Sequence, residues 1–204
     1  MSLLDRLLGT RPDPREAWRP LWHTLVGTAR EEHWYATRGV ADTLDGRFDM
    51  VSMLTALAIL RLETEAEDGV PAAARLTELF VEDMDGQMRE AGIGDPTVGK
   101  MIGRMMATLG GRAGSLREAL GENDDAALAG VVDRNMHLSE DNGDPARVAQ
   151  GLRAFDARML IAQRQGKTSF YMQHLGEEAV SCAFRKALVD GDMNFPTYRQ
   201  AGLL

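Results

Sequence analysis

Leu76, Phe80, Met84 and Met88 recur every four residues between Pro71 and Gly92, and this spacing constrains the fold more than any other feature. Such a repeat places an apolar stripe on one face of a helix, with proline in the first turn and glycine as the stop. The same logic runs through most of the chain. Trp18, Trp22 and Leu25 share a face of a helix expected over about 15–30. Phe48 to Leu62 is apolar almost all round but falls short of the roughly 20 residues a bilayer span needs, so it predicts a central buried helix. Asp95-Pro96 opens a further helix with Val98, Met101, Ile102, Met105, Met106 and Leu109 in one stripe, which Gly110-Gly111 is expected to weaken or end. Segments at 116–120 and 126–136 complete this part. No period-two strand is predicted before residue 140.

Ser139 to Asp144 is polar and contains Asn142-Gly143, a turn signal. The boundary of an independently folding 1–140 domain is placed there, with 141–151 as linker and helix start. Asp144-Pro145 repeats the cap-and-proline start, and Val148, Leu152, Phe155 and Met159 follow at helical spacing up to Gly166. A helix over 177–188 and a strand beginning at Met193 to Phe195 are expected beyond it. The fold class is therefore mainly α, with a helical C-terminal appendage ending at a first strand.

Charge divides the chain in the same place. Residues 1–144 carry 15 Lys+Arg against 26 Asp+Glu, whereas 145–204 carry 8 against 5. An acidic body argues against nucleic-acid binding, whose affinity comes from neutralising phosphates. Cys182 is the one cysteine, which excludes an internal disulfide and fits a reducing compartment. The N-terminal residues lack a signal-peptide pattern, and a bacterial cytoplasmic location, with association at the inner-membrane surface, is expected.

Local patterns for chemistry are weak. Gly94 to Lys100 has phosphate-loop spacing, but Met101 replaces the hydroxyl residue that binds magnesium, and a helix precedes it. Asp83-Met84-Asp85-Gly86 lacks the remaining acids of a calcium loop. His23, His33, His137 and His174 are scattered, so no metal site is assigned. The methionines stand out more, because flexible thioethers suit either core packing or a surface that adapts to varied apolar partners. Met84, Met88, Met101, Met105 and Met106 are the candidate client-binding residues.

Trp34-Tyr35, the run Gly39 to Met50, Leu79 to Asp85, Arg89 to Asp95, Val98-Gly99-Lys100 and Gly111-Arg112 together resemble the ubiquinol-cytochrome c chaperone family, over about 12–136. The resemblance implies a helical, non-enzymatic assembly factor for ubiquinol-cytochrome c reductase, with newly made or inserting cytochrome b as partner. It supplies no catalytic residue.

The run Arg164 to Met172, then Gly176-Glu177-Glu178 and Phe195-Pro196-Thr197-Tyr198-Arg199, resembles the alpha subunit of branched-chain 2-oxoacid dehydrogenase over about 152–204. By that resemblance Tyr198 and Arg199 match residues that contact thiamine diphosphate, a planar guanidinium suiting its phosphates. The magnesium-holding segment of that family has no counterpart before Leu204. The piece is therefore expected to be an inactive, truncated or fused segment. Thiamine diphosphate and magnesium would enter only if further sequence completed the site.

Overall fold

The computed structural model describes residues 13–64, 69–121 and 124–164. After a 3-10 turn at Glu16–Trp18 come α1 (Arg19–Ala29), α2 (Glu32–Ala36), α3 (Leu44–Glu63), α4 (Gly69–Glu90), α5 (Asp95–Gly121), α6 (Asp125–Asn135) and α7 (Pro145–Arg164). Among the described residues β-pairing is confined to one antiparallel bridge, Val40 with Leu138. The expected helix over 177–188 and strand from Met193 lie outside the described residues.

α3 is the centre of the body. It packs against α1, α4, α5 and α7, and from Ser52 to Leu60 every residue is buried. That environment explains a sequence apolar on all sides. Its start is fixed by Thr43, whose Oγ1 accepts a hydrogen bond from the Gly46 backbone N–H at 3.2 Å. Gly46 is required for space: a Cβ there would stand 2.0 Å from the Ala41 carbonyl oxygen.

α4 ends as its sequence predicts. Gly92 adopts φ +79°, and Ile93 N–H reaches back to the Met88 carbonyl at 3.1 Å, a left-handed closure that glycine accepts without steric cost. Pro71 lies in the first turn. On its buried face are Leu76, Phe80, Met84 and Met88, with Phe80 edge-on to Trp22 of α1 at 6.0 Å.

Two expectations differ from the structure. Gly110-Gly111 does not end α5, which runs unbroken from Asp95 to Gly121. Each glycine costs a helix about 1 kcal/mol relative to alanine, but Leu109, Ala113, Leu116 and Ala119 continue the buried stripe across the pair, and burial outweighs propensity. The second concerns residue 140. Val148, Leu152, Phe155 and Met159 of α7 belong to the same core as α1, α3, α4 and α5. α7 packs on α6 and α3, and Arg61 of α3 forms a two-pronged ion pair with the buried Asp156. Gly151 meets Trp34 so closely that a Cβ would lie 2.6 Å from its ring. Residues 145–160 thus complete the helical body, and a domain ending at 140 would lack part of its core. The turn signal at Asn142-Gly143 is real, yet it marks a bend inside one unit.

Candidate functional site

The end of α2 and the loop over 37–43, between α2 and α3, are zipped to the loop over 136–143, between α6 and α7. Ala41 N–H donates to the His137 carbonyl at 3.0 Å, Ser139 N–H to the Gly39 carbonyl at 2.9 Å, and Asn142 Nδ2 to the Ala36 carbonyl at 3.1 Å. Gly39 has φ +87° and sits so near Asn142 that a Cβ would come within 2.3 Å of its carbonyl oxygen. This position therefore demands glycine on two grounds.

Beneath the zipper lies a buried charge cluster. Asp49 and Arg112 are 2 % and 5 % exposed, and the guanidinium donates to Asp49, to Ser52 Oγ and to the Asn135 carbonyl. It also lies over the Phe48 ring at 5.7 Å. The second oxygen of Asp49 accepts the His137 backbone N–H at 2.7 Å and pairs with His137 Nδ1 at 2.7 Å. Burying charges is unfavourable unless they are paired and hydrogen-bonded, and this cluster meets that condition while tying α3, α5 and the loop after α6 into one unit.

Above the zipper is an open cleft of about 600 Å³ lined by Arg30, Glu32, Tyr35, Asp42, Arg47 and Ser139, among others. Arg47 pairs with Asp42 at 2.8 Å and lies over the Tyr35 ring at 5.9 Å. Tyr35 Oη donates to the Ala29 carbonyl at 2.6 Å, and burial raises its phenol pKa, which keeps it a neutral donor. Trp34-Tyr35 and the Gly39 to Met50 run thus shape one region of the molecule, and Arg112, far away in sequence, is drawn beneath it. Both buried charges had a signal in sequence, since each interrupts an otherwise apolar helical face. Their pairing did not, because it depends on how α3 and α5 pack.

The methionines fall into two groups. Met84 and Met88 are 7 % and 5 % exposed and line the interior, while Met101, Met105 and Met106 are half-buried near the start of α5. Asp83 and Asp85 lie on α4, engaged by Gln87 and Arg89. Tyr198, Arg199, His174 and Cys182 lie outside the described residues.

Comparison with known proteins gives matches to two families. Residues 146–204 match the dehydrogenase E1 component family. Within that part, 52 residues are 71 % identical to the 2-oxoisovalerate dehydrogenase subunit alpha of Pseudomonas aeruginosa, covering 26 % of this chain and 13 % of that protein. The mitochondrial subunit alpha 2 of Arabidopsis thaliana is 45 % identical over 53 residues, 26 % of this chain and 11 % of the relative. The chain thus spans only a small part of these relatives. Among solved structures, the Cbp3 homolog from Brucella abortus superposes with a TM-score of 0.58 at 28 % identity, covering 75 % of this chain and 87 % of that one. The other family match spans residues 36–166 and so includes α7, the helix that completes the core. With more than half of its length in that match, the chain belongs to the ubiquinol-cytochrome C chaperone family.

Proposed function

We propose that this protein is an assembly chaperone for ubiquinol-cytochrome c reductase that acts, without catalysis, on newly made cytochrome b. Family membership supports the chaperone role. The observation that carries the client surface is a change in burial along α5. Its C-terminal half is sealed, with Leu109, Ala113, Leu116 and Ala119 buried, whereas Met101, Ile102, Met105 and Met106 of the N-terminal half are half-buried, the last three resting on the core with part of each side chain uncovered. A row of flexible apolar side chains left partly uncovered is suited to receiving apolar segments of varied shape. Met84 and Met88 support this surface from within and take part by repacking.

Single Met→Glu substitutions separate support from contact. Met84→Glu is expected to unfold the body, because an unpaired charge in the core costs several kcal/mol. Met101→Glu, Met105→Glu and Met106→Glu are expected to melt within a few degrees of the parent yet lose cross-linking to nascent cytochrome b. If all folded variants cross-link normally, the methionines are only packing.

The identity of the C-terminal part to dehydrogenase alpha subunits favours a second reading, in which the chain contributes to a branched-chain 2-oxoacid dehydrogenase with Tyr198 and Arg199 at its cofactor. Purified protein with thiamine diphosphate, magnesium and 3-methyl-2-oxobutanoate distinguishes the two. The chaperone reading expects no decarboxylation above a no-protein control, and turnover would support the alternative.

A further inference from the structure

Resting on the chaperone reading, we infer that the cleft above the zipper is one end of a longer channel that holds a Lys/Arg-rich polypeptide segment of the client. The other end is an open cleft of about 570 Å³ between α1 and α4. Arg30, just after α1, lines both clefts and joins them. The floor is apolar, with Trp22, Val26 and Leu79 in one half and Tyr35 and Val40 in the other. Gly27 and Gly86 also line the α1–α4 half, and a Cβ at Gly86 would meet nothing within 4 Å. Internal packing does not demand that glycine, and its effect is to leave room over the helix surface for a second chain.

The walls carry six acids against three arginines. Glu82, Asp83 and Glu90 stand on α4, and Glu32, Asp42 and Asp141 surround the half above the zipper. Arg19 is held by Glu16 and Glu82, and Arg47 by Asp42. Of the lining arginines, Arg30 is therefore the one without an ion pair among the described residues. Glu32, Glu90 and Asp141 likewise have no cation there, and Asp83 has the neutral Gln87 amide. His23 lines the α1–α4 half, whereas Lys100 and Arg104 of α5 and the paired Arg89 stand outside the lining. The channel thus keeps a surplus of unpaired carboxylates beside an apolar floor.

Charge and its spacing select this occupant over others. Nucleic acid and anionic lipid would be repelled. A metal ion needs converging ligands, and among the described residues no three His, Cys, Asp or Glu side chains are grouped to hold one. Carboxylates dispersed along a channel instead match cations dispersed along a chain. A membrane protein supplies such chains, because its cytoplasmic loops near helix ends are rich in Lys and Arg. Position fits as well. Glu90, the last residue of α4, stands about one turn before Asp95, where α5 and its methionines begin, so an apolar client segment on the methionines can pass its basic flank into the channel.

The test is fluorescence anisotropy of a labelled peptide, with lysine and arginine spaced among leucine and serine, added to the full chain beside a second peptide with glutamate at each cationic position. The basic peptide is expected to bind and the acidic one not, with affinity falling as salt screens the exposed charges. Glu90→Lys/Asp141→Lys is expected to weaken binding roughly tenfold, since exposed pairs are lost and replaced by repulsion, without changing the melting temperature. Glu118→Lys/Asp133→Lys makes the same change in net charge at exposed positions of α5 and α6 and should bind as the parent does. The inference is overturned if the parent binds neither peptide or both alike, if Glu90→Lys/Asp141→Lys binds as the parent does, or if the control loses binding equally. It is also overturned if the full chain dimerises and Glu90→Lys/Asp141→Lys makes it monomeric, which would assign the channel to a second copy. Cytochrome b cross-linking without basic-peptide binding removes the channel and leaves the proposed function. Basic-peptide binding in the channel without cytochrome b capture removes the proposed function and leaves the channel as a polypeptide site.

Discussion

A chain ending after Asp141 is expected to lose cooperative folding altogether. The cut removes α7 and with it Val148, Leu152 and Phe155, each fully buried, and Met159 at 6 % exposure. At about 1.5–3 kcal/mol per buried apolar side chain, these four contribute about 6–12 kcal/mol, an upper estimate because a denatured chain is already partly collapsed. A domain of this size has only about 5–15 kcal/mol to lose. The cut also strips Asp156 from Arg61 and uncovers Trp34, against which Gly151 packs. Circular dichroism through a thermal ramp is the measurement. A broad, non-cooperative trace with exposed apolar surface is expected for 1–141, while a chain ending at 164 should melt in one transition. A sharp transition in the shorter chain near the parent's temperature would show that α7 is an appendage.

Arg112→Met is expected to lower the melting temperature by about 6–20 °C. Removing one member of a buried ion pair leaves the other charged without its counter-ion, at about 3–5 kcal/mol, and a body of this length shifts by about 2–4 °C per kcal/mol. Three acceptors lose their donor together: Asp49, Ser52 and the Asn135 carbonyl. The loop holding His137 should loosen as well, so amide exchange at Ala41 and Ser139, whose N–H groups bridge the two loops, should accelerate. Asp49→Leu/Arg112→Met should recover part of the stability, because a fully apolar pair no longer buries a lone charge. Recovery stays incomplete, since the His137 backbone N–H has lost its acceptor. A single variant melting within about 2 °C of the parent, against the expected several kcal/mol, would mean that the cluster is not a structural pin.

Helix identity was legible where an apolar stripe met an end signal. α4 carries Leu76, Phe80, Met84 and Met88 inward and stops at Gly92, as its spacing predicts. All-round apolarity alone predicts α3 as a central helix. Tertiary context decided what could not be read. Gly110-Gly111 breaks an isolated helix readily, but in α5 the buried residues on either side hold it through the pair. Asn142-Gly143 signals a turn whether it joins two domains or two helices of one, and only the placement of Phe155 distinguishes these. The overlap of the two family matches, 146–166, takes in α7 from Ala146 to Arg164, so resemblance to one family does not prevent a helix from serving the core of the other. For the site, the methionines stood out in the sequence, whereas the Trp34-Tyr35 and Gly39 to Met50 runs carried only a family resemblance, and nothing pointed to the loop over 136–143 that closes on them. That loop is polar and carries no periodic pattern, and its partners lie about a hundred positions away.

The proposed action on cytochrome b is tested most directly by capturing the full-length chain from cells pulse-labelled while the respiratory complex is being made. Labelled cytochrome b is expected to co-purify early in the chase and to leave the chain as it enters assembled ubiquinol-cytochrome c reductase, with capture reduced for the folded Met105→Glu variant. Absence of labelled cytochrome b at every time, or its equal recovery with that variant and with an unrelated acidic helical protein, would contradict the account.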